Sequence, residues 1–298
     1  MLWFGLALLS PLLYAVVNYV DKYLVAREVD DHFGLPVFSM ISGGVIGLVL
    51  WAISGFVVLP VVDMVLLLAV GALGMGCIVP YFEALAREEA SFVIVTMQAG
   101  PAMTLVLAWT LLGERLTGLQ LLGFVLVLGV AVAVALKETT GGWRLSTGFW
   151  MMMLHNLMAS GAEVLFKFVS ADQAVLPLLA FESLGAALGG VVLLAVLPRM
   201  RRAFVGLVRQ SGRRSLGVAG LNEVVYNAAR GVGYWAVALG PVALVSALQS
   251  TQIVFGLALG WLLAVALPGV FGSELRGGDV ARKVALGAVM LVGVWLVR

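Results

Sequence analysis

Long apolar runs, interrupted only by short clusters of glycine, proline and charge, constrain this chain more than any other feature. A run of about 20 apolar residues matches one helical crossing of a bilayer. In lipid the backbone N–H and C=O groups find no water, so a crossing segment must satisfy them itself, and a helix does so locally. Ten such windows can be read along the sequence, at 3–25, 35–57, 64–85, 91–112, 118–136, 147–169, 176–197, 216–239, 242–266 and 280–297. With 62% hydrophobic and 11% charged residues, a water-soluble fold has too little polar surface to cover its apolar side chains. The expected class is an all-α integral membrane protein, and ten crossings leave no room in 298 residues for a sizeable soluble domain. Connections such as 113–117 and 240–241 are short enough to force antiparallel neighbours. The apolar start, residues 1–20, lacks a basic leader and a small-x-small cleavage pattern ahead of Asn18, so it reads as a first span. Cys77 lies inside an apolar run and reads as a packing residue.

The second half of the chain repeats the first. At an offset of 145, Ser10, Tyr14, Asn18 and Lys22 fall on His155, Ala159, Glu163 and Lys167. At 141, Pro36, Ser42 and Gly44 fall on Pro177, Ser183 and Gly185. Gln98 meets Gln252 at 154, and Gly123 and Gly129 meet Gly287 and Gly293 at 164. The units implied are 1–138 and 146–298, with insertions in the arginine-rich segment after span seven and in 268–279. Five spans is an odd number, so the two units must enter the membrane in opposite senses. Two inverted five-helix repeats that rock against each other around a shared site are a recurring transporter architecture.

Basic residues report orientation, because lysine and arginine concentrate in cytoplasmic loops. The loops after spans one, three, five, seven and nine carry thirteen of them: Arg27, Arg87, Lys137, Arg144, Arg199, Arg201, Arg202, Arg209, Arg213, Arg214, Arg276, Arg282 and Lys283. The opposite side carries Arg115 and Arg298. This bias predicts that both chain ends lie outside, with a bacterial or archaeal plasma membrane as the expected location. Within 198–214, Met200, Phe204, Leu207 and Val208 recur at helical spacing among arginines. That pattern suits either an interfacial helix on anionic lipid or a solvated, topology-setting loop.

Charge near the bilayer centre costs about 2.5–3.5 kcal/mol per residue on insertion scales, so each instance needs a partner, a wet cavity or a task. Span eight carries Glu223, Asn227 and Arg230 on one helical face, with Asn222 and Tyr226 nearby. Glu223 and Arg230 stand about 10 Å apart along the axis, a gap that Asn227 or a ligand would bridge. Span six carries His155, Asn156, Ser160, Glu163 and Lys167, and its repeat mate carries Ser10, Tyr14, Asn18, Asp21 and Lys22. Glu182 sits beside Ser183, and spans four and nine add Gln98, Ser246, Gln249, Ser250 and Gln252.

Interhelical hydrogen bonding, worth about 0.6–2 kcal/mol each, accounts for Ser10, Ser183, Ser246 and Asn18 without any further role. Lys22 and Lys167 sit where a lysine snorkels to the interface, and His32, between acidic neighbours, reads as solvated. The candidate set for substrate binding or coupling is Glu163, Glu223, Asn227, Arg230, His155, Asn156, Tyr14, Asn18, Gln98, Gln252 and Glu182. In such a set Arg230 offers a carboxylate or phosphate contact, and Glu163 or Glu223 a cation or proton site. Pairs such as Gly43/Gly47, Gly185/Gly189 and Gly256/Gly260 have the spacing that lets helices approach closely. Gly100, Pro80 and Pro101 are candidate bends.

No Walker-type glycine loop and no metal-ligand cluster can be read, and His155 has no serine partner in a nucleophile motif. The expectation is therefore a non-enzyme without cofactor. Its partners would be a small molecule, the lipid bilayer and, as a candidate coupling ion, the proton, with no nucleic acid.

Several short stretches carry a family likeness: Tyr81-x-x-Ala84-Leu85, Gln98-Ala99-Gly100-Pro101, Leu112-Gly113-Glu114-Arg115-Leu116-Thr117, then Gly123 and Gly129. A weaker second set is Ala238-Leu239, Gln252, Glu274, Gly287 and Gly293, and Lys22 and Lys167 fall where a lysine often closes the first span of a unit. In these the chain resembles the EamA-type members of the drug/metabolite transporter superfamily. The resemblance implies a ten-helix fold with a central cavity lined by both units, and movement of small metabolites such as amino acids. It also implies cytoplasmic termini, opposite to the charge bias. Two other readings of the same fold and composition are a translocase for lipid-linked substrates and a membrane scaffold that transports nothing.

Overall fold

In a lipid-embedded chain helices gain little from burying leucine against leucine, so close backbone approach and polar contacts decide which ones pair. The computed structural model describes residues 2–27, 34–85, 87, 93, 96–97, 99–136, 146–171, 173–210, 212–266 and 280–297. All regular structure among them is helical: α1 (Leu2–Arg27), α2 (Gly34–Ile53), α3 (Val61–Gly76), α4 (Ile78–Leu85), α5 (Ala99–Leu107) with a π-helical end (Ala108–Leu112), and α6 (Gly118–Leu136). There follow α7 (Thr147–Val169), α8 (Val175–Val196), α9 (Pro198–Gln210), α10 (Arg213–Leu239), α11 (Val242–Gln249), α12 (Gln252–Ala266) and α13 (Val280–Val297).

Five stretches are long and apolar enough to cross a membrane: Leu2–Val20, Gly34–Ile53, Val61–Ala84, Val175–Val196 and Val242–Leu263. Shorter apolar helices cover Ala99–Leu112, Gly118–Val130 and Ala285–Val297. α7 and α10, at 23 and 27 residues, have the length but not the hydropathy. Their polar residues, the ones singled out above, are what lowers it.

Helix α8 lies between α2 and α3, α1 packs on α10 and α12, α7 on α3, α4 and α5, α5 on α11, and α6 on α13. Glycine sets the tightest of these approaches. A Cβ at Gly71 on α3 would sit 1.9 Å from the Glu182 carbonyl oxygen, and one at Gly185 on α8 would sit 2.3 Å from that of Leu68. On the opposite face of α8, a Cβ at Gly47 would lie 2.9 Å from the Ala180 carbonyl oxygen. Gly47, Gly185 and Gly189 of the small-xxx-small pairs thus serve α8, whereas a Cβ at Gly43 would face the Arg230 and Asn227 side chains of α10 at 3.4 Å and Gly256 has open space where its Cβ would be.

Two of the expected spans are broken. The run 64–85 divides at Cys77, three residues before Pro80, which has no N–H to continue the ladder. The run 242–266 divides at Ser250 and Thr251, whose N–H groups turn to the carbonyls of Ala247 and Leu248 at 3.0 Å each. The arginine-rich segment forms a helix, α9, whose apolar face does not rest on lipid alone. Met200, Ala203 and Leu207 are buried, and Met200 and Ala203 share a cluster with Val37 of α2, while Arg201, Arg202 and Arg209 are exposed. Lys167 does not snorkel outward; its Nζ donates to the Ala238 carbonyl at 3.1 Å, in the last turn of α10, where a cation is favoured by the helix dipole. Asp30, Asp31 and His32 lie outside the described residues, as do the side chains of Asp21 and Lys22.

Candidate functional site

A ladder of side chains along α10 builds one wall of an internal cavity. Tyr226, Arg230, Gly233, Tyr234 and Val237 recur every three or four residues and so share a face. Opposite them stand Ser10 and Tyr14 from α1, Gly74 and Met75 from α3, Ala159 and Glu163 from α7, and Glu182 from α8, with Gln249 and Gln252 on either side of the break after α11. The space between them, partly open to the outside, is about 250 Å³. Irregular backbone at membrane depth is tolerated where it lines a cavity, and the Ser250–Thr251 break lies between the two glutamines.

The charges in this wall are arranged unequally. Arg230 Nη1 lies 3.3 Å from Glu182 Oε1, and the two side chains are 9% and 2% exposed. Arg230 Nη2 donates to Ser183 Oγ at 3.0 Å and to Asn227 Oδ1 at 3.1 Å. Ser183 Oγ in turn donates to Glu182 Oε2 at 3.3 Å. A buried pair of this kind costs several kcal/mol of desolvation per ion, offset only when hydrogen bonds complete it, and here they do.

Glu163 receives a hydrogen bond from Thr104 Oγ1 at 3.2 Å, and Thr104 receives one from Ser246 Oγ at 3.2 Å. That chain ties α7 to α5 and α11. Among the described residues no lysine, arginine or histidine lies within ion-pair distance of Glu163. Three tyrosines supply the aromatic surface: Tyr14 and Tyr226 meet edge to face at 5.7 Å, and Tyr234 stacks at 4.4 Å on Phe166. The Tyr226 hydroxyl donates to the Met75 thioether at 3.3 Å, a weak acceptor.

Of the residues singled out from sequence, Tyr14, Glu163, Glu182, Arg230 and Gln252 line this space. Glu223 and Asn227 are not among the lining residues. The Glu223 carboxylate accepts from Ser39 at 2.5 Å and from Ser42 at 3.3 Å, both on α2. Asn227 does bridge toward Arg230, but its Nδ2 donates to the Glu223 backbone carbonyl at 2.8 Å rather than to the carboxylate.

His155 Nδ1 contacts the Cys77 carbonyl at 2.8 Å. A carbonyl only accepts, so Nδ1 carries the proton, and the histidine supplies a donor at the α3–α4 break, where the Tyr81 N–H is a long 3.4 Å away. Asn156 Nδ2 donates to the Thr96 carbonyl at 2.8 Å, stitching α7 to the chain entering α5. Asn18 is exposed, one turn beyond Tyr14 on α1, and Gln98 lies outside the described residues. Sequence reasoning left Tyr226, Tyr234 and Gln249 out of the candidate set. The spacing of Tyr226, Arg230 and Tyr234 at every fourth residue was the available signal for the two tyrosines.

Apolar helices of spanning length around a polar, charge-bearing cavity are the architecture of an integral membrane protein. The model of the EamA-like transporter family matches residues 1–136, a little under half of the chain. A solved structure titled only "Crystal structure of protein" has the same fold, with a TM-score of 0.71 at 18% identity over 99% of this chain and 94% of that one. No curated protein matches the chain.

Proposed function

We propose that the protein is a secondary transporter that moves a small polar or zwitterionic metabolite, of the amino acid or organic anion class, by alternating access across a plasma membrane. The observation that carries this reading is the cavity itself. Glu163 and the Glu182–Arg230 pair stand around it at the meeting of α1, α3, α7, α8 and α10, beside a broken helix. Discontinuous helices and ionisable groups near the midplane are the usual parts of such a site.

Ten spans in two inverted units, 1–138 and 146–298, fit the packing. Exchanging each span with the one five further on turns α1–α10 into α7 with α3 and α4, and turns α5–α7 into α1 with α11 and α12. The same exchange returns α2–α8, α5–α11 and α6–α13 to themselves. Glu163 is the proposed coupling group, since a carboxyl that faces the cavity without a resident counter-ion can take a proton or a ligand cation. The thirteen-to-two bias of basic residues favours both termini outside.

Purified protein in proteoliposomes is expected to carry amino acids faster than empty vesicles, and an imposed pH gradient is expected to drive accumulation. Equal rates with and without the gradient would leave facilitated diffusion. A C-terminal reporter tests orientation: periplasmic phosphatase activity is expected, and cytoplasmic fluorescence with inactive phosphatase would reverse it.

A further inference from the structure

The charge balance of the cavity narrows what it takes. Two carboxyl side chains, Glu163 and Glu182, and one guanidinium, Arg230, line it. Arg230 is already committed, to Glu182 through one terminal nitrogen and to Ser183 and Asn227 through the other. An incoming carboxylate would have to compete with Glu182 for a guanidinium that this network holds in place. Glu163 is in the opposite situation. Its partners, Thr104 and Ser246, are neutral hydroxyls, it faces the open space, and among the described residues it has no cation beside it. Tyr14, Tyr226 and Tyr234 complete the surroundings, and aromatic faces attract ammonium groups. The Tyr226 oxygen, whose proton is directed at a thioether, keeps its lone pairs for a donor.

We infer that the group this cavity recognises is a protonated amine, seated at Glu163 among the tyrosines, and that a carboxylate on the ligand is optional. This rests on the transporter reading and sharpens it: zwitterions and organic monocations are ligands, and solutes whose only charge is negative are not. A volume of about 250 Å³ is that of about eight water molecules in the liquid, which suits a solute of amino-acid size.

The test uses the intact protein in nanodiscs at one pH and the alanine, leucine and phenylalanine skeletons, each as the free amino acid, the methyl ester and the N-acetyl acid. Binding is read by calorimetry and thermal shift. In every skeleton that binds, the ester and the free amino acid are expected to bind at least tenfold more tightly than the N-acetyl acid. Glu163→Gln is expected to weaken the ester about 10- to 100-fold, the worth of one charge-assisted contact. N-acetyl acids that bind as well as the esters would overturn the assignment, as would an E163Q protein that holds esters like the wild type or folded protein that binds no form. Should E163Q fail to fold, the ester and N-acetyl comparison on the wild type decides alone. The two readings fail separately: flux of N-acetyl acids in proteoliposomes removes the amine assignment and keeps transport, whereas amine binding without flux does the reverse.

Discussion

The cavity has a charged wall and an uncharged one, drawn from different parts of the chain. Residues after 146 supply Glu163, Glu182, Arg230, Tyr226, Tyr234, Gln249 and Gln252, while residues before 138 supply Ser10, Tyr14, Gly74 and Met75. The contrast is sharpest between α10 and the α3 segment that the repeat would pair with it. α10 places Arg230 and two tyrosines on the cavity. The α3 segment offers Gly71 and Gly74, and both glycines are spatial requirements. Gly71 lets α8 approach until the Glu182 backbone touches α3, and Gly74 leaves room for the Tyr234 hydroxyl, 3.2 Å from where a Cβ would stand. One region has specialised in charge and the other in the close packing that holds the charge in position. Under the proposed duplication the two regions would occupy matching places, and the division of labour would account for their unlike sequences.

That division can be broken from either side. The largest effect is expected at Arg230→Met, which leaves Glu182 buried without its cation and should cost about 3–5 kcal/mol, read as lost folded protein in detergent and a lower melting temperature. Adding Glu182→Leu should recover most of that loss; a double variant no better than the single would show that the guanidinium matters through Ser183 and Asn227 instead. Next comes Gly71→Ala on the packing side. No flexible side chain is available to yield, because the obstacles are the Glu182 carbonyl oxygen and the Ala186 backbone nitrogen, 1.9 and 2.4 Å from the new Cβ. A cost of about 1–3 kcal/mol is expected, visible in thermal unfolding, and wild-type stability would argue that α3 and α8 are looser than described. Gly74→Ala should cost less than about 1 kcal/mol, since a tyrosine hydroxyl can move by a few tenths of an ångström, but it should weaken ligand binding by displacing Tyr234. Smallest of all is Asn18→Ala. Its side chain is exposed, and both stability and flux should stay within about 0.5 kcal/mol of wild type; a clear loss of flux would bring the first unit's polar face back into the mechanism.

How far the sequence reveals this arrangement depends on the range of the interaction. Hydropathy and helical period are local, so the apolar runs and the face carrying Arg230 could be read directly. Breaks in the runs were only half visible: Pro80 marks the one at Cys77, but nothing at Ser250–Thr251 announces that α11 ends there. Partner choice is not local. Arg230 and Glu182 meet because glycines on three helices let α8 settle between α2 and α3, and no spacing within one helix encodes that. For the same reason the Glu223 carboxylate, expected to reach Arg230 through Asn227 or a ligand, instead turns to Ser39 and Ser42 on α2. His155 and Asn156 show the converse. A polar side chain within an apolar run invites a functional reading, yet both spend their hydrogen bonds on backbone carbonyls.

The central claim is that solute crosses the membrane through this cavity by way of Glu163. The most direct measurement is flux into proteoliposomes, screened over amino acids, organic anions and amphipathic cations, with wild-type and Glu163→Gln protein matched for folded content. The account predicts saturable flux of amine-bearing solutes by the wild type and at least a tenfold loss in the variant. Flux undiminished in Glu163→Gln, or none of any class by folded wild-type protein, would contradict it.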